Sequence, residues 1–314
     1  MTNYPPRGYS WALAVHDIHV TITAGPSALE VVAGLERVFQ TFAFGCGKPA
    51  QAEMIVSCDD GFSEHEGFPS EPCLLRNADP TLSLRLRQAF QKRRILPAEQ
   101  EEEGFLLLGC LNACLVFHPR HSSAHCVLFA DRCASPLLIA SLHRILFVFL
   151  CLFMAERNRF FAHCAAIRHG EVVYLFWGSS GAGKTTVSSL SPRHNVLSDD
   201  APLLLEEKGT FFCTASPFHQ LTPPLRQQAE QISKFPVAKN LFLFKSKAFR
   251  LVKRPSLQAF QEILRHHIHG FDWMNRTQRI RAFHFLFNYC RRIPAYDMYF
   301  PKDAIFWPDI VTGS

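Results

Sequence analysis

Apolar and polar positions alternate over residues 12–23, with Ile18, Val20 and Ile22 on one face, which predicts a half-buried strand. The period then changes. Residues 27–42 place Leu29, Val32, Leu35 and Phe39 at helical spacing. Strand patterns return at 52–57, 104–109, 113–118 and 124–130, around a Gly/Pro/Asp/Glu-rich stretch at 59–80 and an acidic connector at 97–103. These elements predict a smaller α+β N-terminal domain over residues 1–135. It carries no catalytic constellation, so its expected role is acceptor recognition or dimerisation.

A second domain is expected over residues 136–314. It opens with an apolar helix at 137–155, which His143 and Arg144 interrupt to leave a run of about eleven apolar residues. A membrane span needs about twenty, so this segment reads as a buried helix under the sheet of the second domain, with no membrane contact. Strands follow at 160–168 and 171–177, a short helix at 183–190, and a strand at 195–200. After them come β-rich segments at 203–213 and 241–253, then helices at 256–269 and 277–291. The expected fold class is α/β.

The loop between strand 171–177 and helix 183–190 carries the most specific chemistry. Gly178, Ser179, Ser180, Gly181, Ala182, Gly183, Lys184 and Thr185 fill the pattern G-x-x-x-x-G-K-[ST] in its required strand–loop–helix context, and Thr186 follows as a further nucleotide-binding candidate. Glycines let the backbone turn its amides inward as an anion-binding nest at a helix start. Lys184 is then a point charge for the outer phosphates, and the Thr185 hydroxyl a ligand for Mg²⁺. A nucleotide is the expected ligand, with ATP, ADP, GTP and pyrophosphate all open as donor.

Fifteen residues after Lys184 stand two adjacent carboxylates, Asp199 and Asp200, at the end of a short strand. Conventional ATPases and GTPases of this loop type place their metal-binding aspartate farther downstream. One carboxylate of the pair can hold the metal while the other accepts the proton of an attacking hydroxyl. His266, His267 and His269 also cluster, and read as the last turn of the helix at 256–269, closed by Gly270.

The run from Phe161 to Thr186, with 193–201 after it, resembles the kinase core of HPr serine kinase/phosphorylase, a core also found in ATP-dependent phosphoenolpyruvate carboxykinase. It is most similar to the smaller HPr-kinase-related proteins of peptide-modification cassettes. The resemblance rests on His163 before the loop strand, the loop from Ser180 to Thr185, and the Asp199-Asp200 pair. It implies a P-loop kinase core with Asp199 as general base, Asp200 and Thr185 as Mg²⁺ ligands, and His163 as a phosphate-side or acceptor-side contact. His194 stands where those kinases also tend to have histidine. Weaker similarity continues at 215–218, a turn, and at 240–250, a hairpin offering Lys245 and Arg250 as phosphate contacts. No stretch matches the phosphorylase signature, nor the Lys/His/Arg set that a carboxykinase uses.

The expected activity is therefore a metal-dependent kinase that phosphorylates a hydroxyl, foremost serine, of a peptide, protein or small molecule. A nucleotide-binding switch that transfers nothing, and a carboxykinase-like lyase, are the rival readings. Composition adds limits. With 48% hydrophobic residues and 29 Phe in 314, a sizeable core is available; with 19% charged, part of the surface is apolar enough for a partner or homo-oligomer contact. The net charge of +6 is spread over 85–94, 245–254 and 276–292 without a dense basic block, so nucleic acid is not expected. Eleven cysteines, an odd number without Cys-x-x-Cys pairs and with no signal peptide ahead of them, predict reduced thiols in the cytoplasm.

Overall fold

The alternation at 12–23 folds as a hairpin rather than one strand. Strand β1 (Ser10–Val15) and strand β2 (Ile18–Ala24) pair antiparallel around His16, whose φ of 57° turns the chain back. Both halves carry the same apolar period, so alternation alone did not mark the turn. This is seen in a computed structural model of the chain, which describes residues 9–25, 28–39, 43–44, 50–59, 73–74, 106–110, 113–118, 122–129, 135–192, 195–218, 233–301 and 307–312. Most of the expected loop at 59–80, the connector at 97–103, and His194 lie outside the described residues.

The architecture is mixed α/β in two compact units, Met1–Phe153 and Met154–Ser314. In the first, helix α1 (Leu29–Val38) follows β2. Then come β3 (Ala43–Phe44), β4 (Ala52–Asp59), β5 (Cys73–Leu74), β6 (Leu106–Cys110), β7 (Ala113–His118), β8 (Ser123–Phe129) and helix α2 (Ser135–Ala155). Its described strands form one sheet ordered β3-β1-β2-β4-β8-β7-β6-β5, parallel only at β2–β4 and β4–β8. Helix α2 belongs mainly to this unit, where the sequence reading had put it under the sheet of the second. Its Phe149 ring meets Phe117 of β7 edge-on at 5.3 Å, and His143 stacks on Phe39 at 5.1 Å. Pro136–Ala155 is long and apolar enough to cross a membrane, and 67% of its most apolar stretch is buried within the protein, as in a core helix.

The second unit is built on strands β9 (Phe160–Phe161), β10 (Cys164–His169), β11 (Val172–Trp177), β12 (Val196–Ser198), β13 (Leu203–Glu207), β14 (Thr210–Thr214), β15 (Lys234–Lys245), β16 (Arg250–Arg254) and β17 (Ala295–Phe300). Its helices are α3 (Lys184–Leu190), α4 (Ser256–His266), α5 (Arg276–Arg292) and α6 (Trp307–Thr312). The order β12-β10-β11-β15 continues through β14, β13 and β9, while β17 and β16 extend from β15. Strands β11, β15 and β17 run parallel, and β10 runs against both β11 and β12.

Helices cover both faces. On one, Val187 of α3 and Ile310 of α6 pack on Tyr174, Phe176, Leu241, Leu243, Met298 and Phe300. On the other, α5 buries Phe285, Leu286 and Tyr289. There the Trp177 indole N–H (2.8 Å) and the Tyr289 hydroxyl (2.5 Å) both donate to Asn240 Oδ1, all three residues being buried. Asn240→Leu would leave two buried donors without an acceptor, and is expected to lower stability by about 2 kcal/mol in a denaturant melt.

Candidate functional site

Strand directions decide where the sequence motifs meet. Because β10 is antiparallel to both β11 and β12, the amino end of β10 lies beside the carboxyl ends of the other two. Cys164, first in β10, faces Trp177, last in β11, and Ala166 faces Ser198, last in β12. The glycine-rich loop, the Asp pair and His163 therefore emerge at one edge of the sheet. Parallel pairing brings the carboxyl ends of β15 and β17 to the same edge, where Lys245 and Phe300 are register partners. The result is a cleft of about 280 Å³. It is lined by loop residues 179–181 and 183–186, by His163, Asp199 and Asp200, and by Lys245, Ser246 and Phe300.

The loop itself is tightly built. Gly181 has φ 79° and Gly183, the residue capping α3, has φ 118°. The Ala182 amide donates to the Ser179 carbonyl at 3.1 Å, and Ala182 packs toward the core instead of lining the cleft. Lys184 is 8% exposed, and its ammonium donates to the Gly178 carbonyl at 2.8 Å, so Gly178 acts through its backbone. Burial lowers the Lys184 pKa, and the nearby Asp200 opposes that shift.

At the end of β12, the Ser198 hydroxyl accepts from the amides of Asp200 (3.3 Å) and Ala201 (3.0 Å). This turn directs the chain so that both aspartates border the cleft. Asp199 is 4% exposed. Asp200 Oδ1 lies 3.4 Å from His163 Nε2 and is buried without a hydrogen-bond partner. Burial and then the Lys184 charge lower the His163 pKa, with Asp200 pulling the other way. An anionic oxygen left in this condition suits a cation. Together with the Thr185 hydroxyl it offers hard oxygen donors, the kind Mg²⁺ takes alongside substrate phosphates and water. Among the described residues, no group of three or more His, Cys, Asp or Glu forms a metal cage.

The histidines at 266–269 are placed differently from expectation. Helix α4 stops at His266, because the next three residues pair with the edge leading into β10. The His163 amide donates to the His267 carbonyl (2.9 Å), the His269 amide donates to the Phe161 carbonyl (3.0 Å), and Ala162 bridges Ile268. His269 Nε2 approaches the Asp200 carbonyl at 3.4 Å, and its ring centroid is 5.2 Å from that of His163. His267 is 1% exposed between Trp177 and His163, with neither ring nitrogen hydrogen-bonded.

These two histidines are neutral at physiological pH. Burial first, then the neighbouring His163, hold His267 at about 3 and His269 at about 4, against the ordinary 6.5. A folded-state pKa below the unfolded value means that the unfolded chain binds protons first, so stability falls as pH drops below 6.5. For His267 the loss approaches about 1.4 kcal/mol per pH unit. Thermal melts between pH 7.5 and 4.5 are expected to show a shallower acid slope in His267→Leu than in the parent; equal slopes would refute it.

Two further sequence candidates separate. Lys245 reaches the cleft, but Arg250 does not line it: its guanidinium lies 4.4 Å over the Tyr299 ring. Tyr299 alternates with Phe300 along β17 and so faces away from the cleft. The turn at 215–218 follows β14 and is held by the Ser216 hydroxyl and the Phe218 backbone, with Phe218 packed edge-on against Phe161. Comparison with known proteins gives no match for this chain, either among family models or among curated proteins.

Proposed function

We propose that the cleft is a phosphotransferase site of the HPr-kinase type, which moves a phosphoryl group from a nucleotide, foremost ATP, to a hydroxyl of the serine kind. The observation that carries this reading is the convergence of the glycine-rich loop, the Asp199-Asp200 pair, His163 and Lys245 at one sheet edge. In it, loop amides and Lys184 grip the outer phosphates. Asp199 takes the proton of the acceptor hydroxyl as its oxygen attacks the terminal phosphorus, and the bond to the bridging oxygen breaks, releasing the nucleoside diphosphate. Thr185 and Asp200 would hold Mg²⁺, which when bound neutralises charge on the phosphates. His163 orients Asp200 from 3.4 Å. Catalysis on this reading is mostly positioning and fixed charge.

The test uses the full chain with γ-labelled ATP and Mg²⁺, offered serine-containing peptides and small hydroxyl compounds. The expected result is label on an acceptor, lost with EDTA and in Lys184→Met. Nucleotide binding that ignores both EDTA and the Lys184 substitution would overturn the assignment of the cleft. Mg²⁺-dependent binding with only slow hydrolysis against every acceptor would overturn the transferase reading alone.

A further inference from the structure

Helices α4 and α5 turn a face outward that the cleft does not use. Along α5, Ile280, Phe283 and Phe287 follow at steps of three and four and are 48%, 44% and 38% exposed; Leu257 on α4 is 59% exposed. Between them lies Phe260, 7% exposed, with its ring centroid 5.0 Å from Phe283 and 5.9 Å from Phe287, both nearly perpendicular. Phe260 is thus the floor of a groove whose walls are Leu257 on one side and the α5 stripe on the other. Exposed aromatic and aliphatic side chains that share one patch, unlike scattered ones, mark a contact surface.

Charge along α5 has one sign. Helix α5 contains Arg276, Arg279, Arg281, Arg291 and Arg292 and no Asp or Glu. Arg281 is paired with Glu156 at 2.6 Å, and Arg292 reaches Glu206 and the Gly209 carbonyl. Arg276 and Arg291 lie in line with the apolar stripe at its two ends, and no carboxylate among the described residues pairs with either. Arg291 lies 5.5 Å over the Phe287 ring. The single acid of α4, Glu262, is 3.8 Å from His267 Nε2. An apolar groove with an arginine at each end is complementary to an acidic amphipathic surface.

Other occupants fit less well. A second copy in a two-fold contact would bring two arginine-bearing, acid-free stripes together. Nucleic-acid bases need open aromatic platforms, whereas Leu257 and Ile280 offer no stacking, and Phe283 and Phe287 lean on Phe260. A concave floor between two helices suits a third helix better than a flat lipid surface. We propose that this groove docks an acidic amphipathic helix of a partner protein. That helix would lay apolar residues spaced i, i+3/i+4, i+7 over Phe260 and set carboxylates against Arg276 and Arg291. Fifteen residues separate those arginines, a span of about 22 Å at about 1.5 Å per residue. The docked helix therefore covers roughly four turns. The proposal is independent of the chemistry assigned to the cleft.

The test measures fluorescence anisotropy of labelled synthetic helices of about 18 residues with the full chain. One peptide carries a leucine stripe flanked by Glu, a second the same stripe flanked by Lys, and a third the acidic composition with the stripe scrambled. The acidic striped peptide is expected to bind at least tenfold more tightly than the other two, and less tightly as salt rises. Phe283→Ser with Phe287→Ser is expected to remove that binding. Arg276→Glu with Arg291→Glu touches no core residue and is expected to turn the preference toward the lysine peptide. Equal binding of all three peptides, or binding unchanged in either double variant, would overturn the proposal. So would a dimer in sedimentation that the Phe substitutions dissolve. A uridine-rich oligonucleotide or anionic vesicles that bind through these phenylalanines, while the acidic peptide does not, would overturn it equally.

Discussion

Asp199→Asn is expected to bind Mg²⁺-nucleotide as the parent does and to transfer phosphate about 10³-fold more slowly, the usual weight of a positioned base. The amide keeps the size of the carboxylate but cannot accept the acceptor's proton. Asp199 is only 4% exposed, in a turn fixed by the Ser198 hydroxyl, so the substitution changes charge with little change of shape. Asp200→Asn is the necessary contrast. Its Oδ1 faces His163 and has no other partner, so its loss is expected to weaken the Mg²⁺ dependence of binding first. Equilibrium binding with and without Mg²⁺, measured beside single-turnover transfer, separates the two. If Asp199→Asn turns over like the parent, the base lies elsewhere.

Gly183→Ala is expected to cost about 10²-fold in nucleotide affinity and about 1–3 kcal/mol in stability. Two independent constraints converge there. The φ of 118° is a conformation that side-chain-bearing residues rarely adopt, and a methyl group would stand 2.7 Å from Phe300 Cζ. Phe300 cannot give way easily, because it is 2% exposed in the core that also holds Val187 and Leu243. Strain would therefore pass into the loop and displace the Lys184 and Thr185 backbone. A paired titration and thermal melt reads both effects. A variant that keeps full affinity would show that the loop relaxes around Phe300.

The parts of the site written as contiguous motifs were legible in the sequence. Loop, Asp pair and His163 fall within 38 residues, and the strand–helix periods around them fixed which end of each strand they occupy. Lys245 was reached only through resemblance, which favoured Arg250 equally. Nothing local says that β11, β15 and β17 run parallel, which brings Lys245 to the cleft, or that β16 pairs antiparallel to β17, which sets Arg250 opposite Tyr299. His267 and His269 were visible as a cluster, but a helix end and a strand bridge look alike over four residues. Their contribution arises from backbone pairing with residues 161–163, a long-range fact. The same limit hid the placing of α2, whose apolar run gives length and burial but not which sheet it lies on. The hairpin at His16 is local and was hidden instead by the unbroken alternation of its two strands.

Strand β15 has a consequence for how the second unit comes apart. Its residues Lys234–Pro236 pair with β14, residues between Val237 and Phe242 with β11, and Asn240–Lys245 with β17. One twelve-residue segment is thus stitched to three neighbours. Opening either branch of the sheet on its own frees only part of that segment, so the unit should lose its structure in a single concerted event. Amide hydrogen exchange gives the readout: protons at Leu241, Phe242 and Leu243 are expected to exchange only on global unfolding, at the slow limit of the molecule, while the β16 edge exchanges by local fraying.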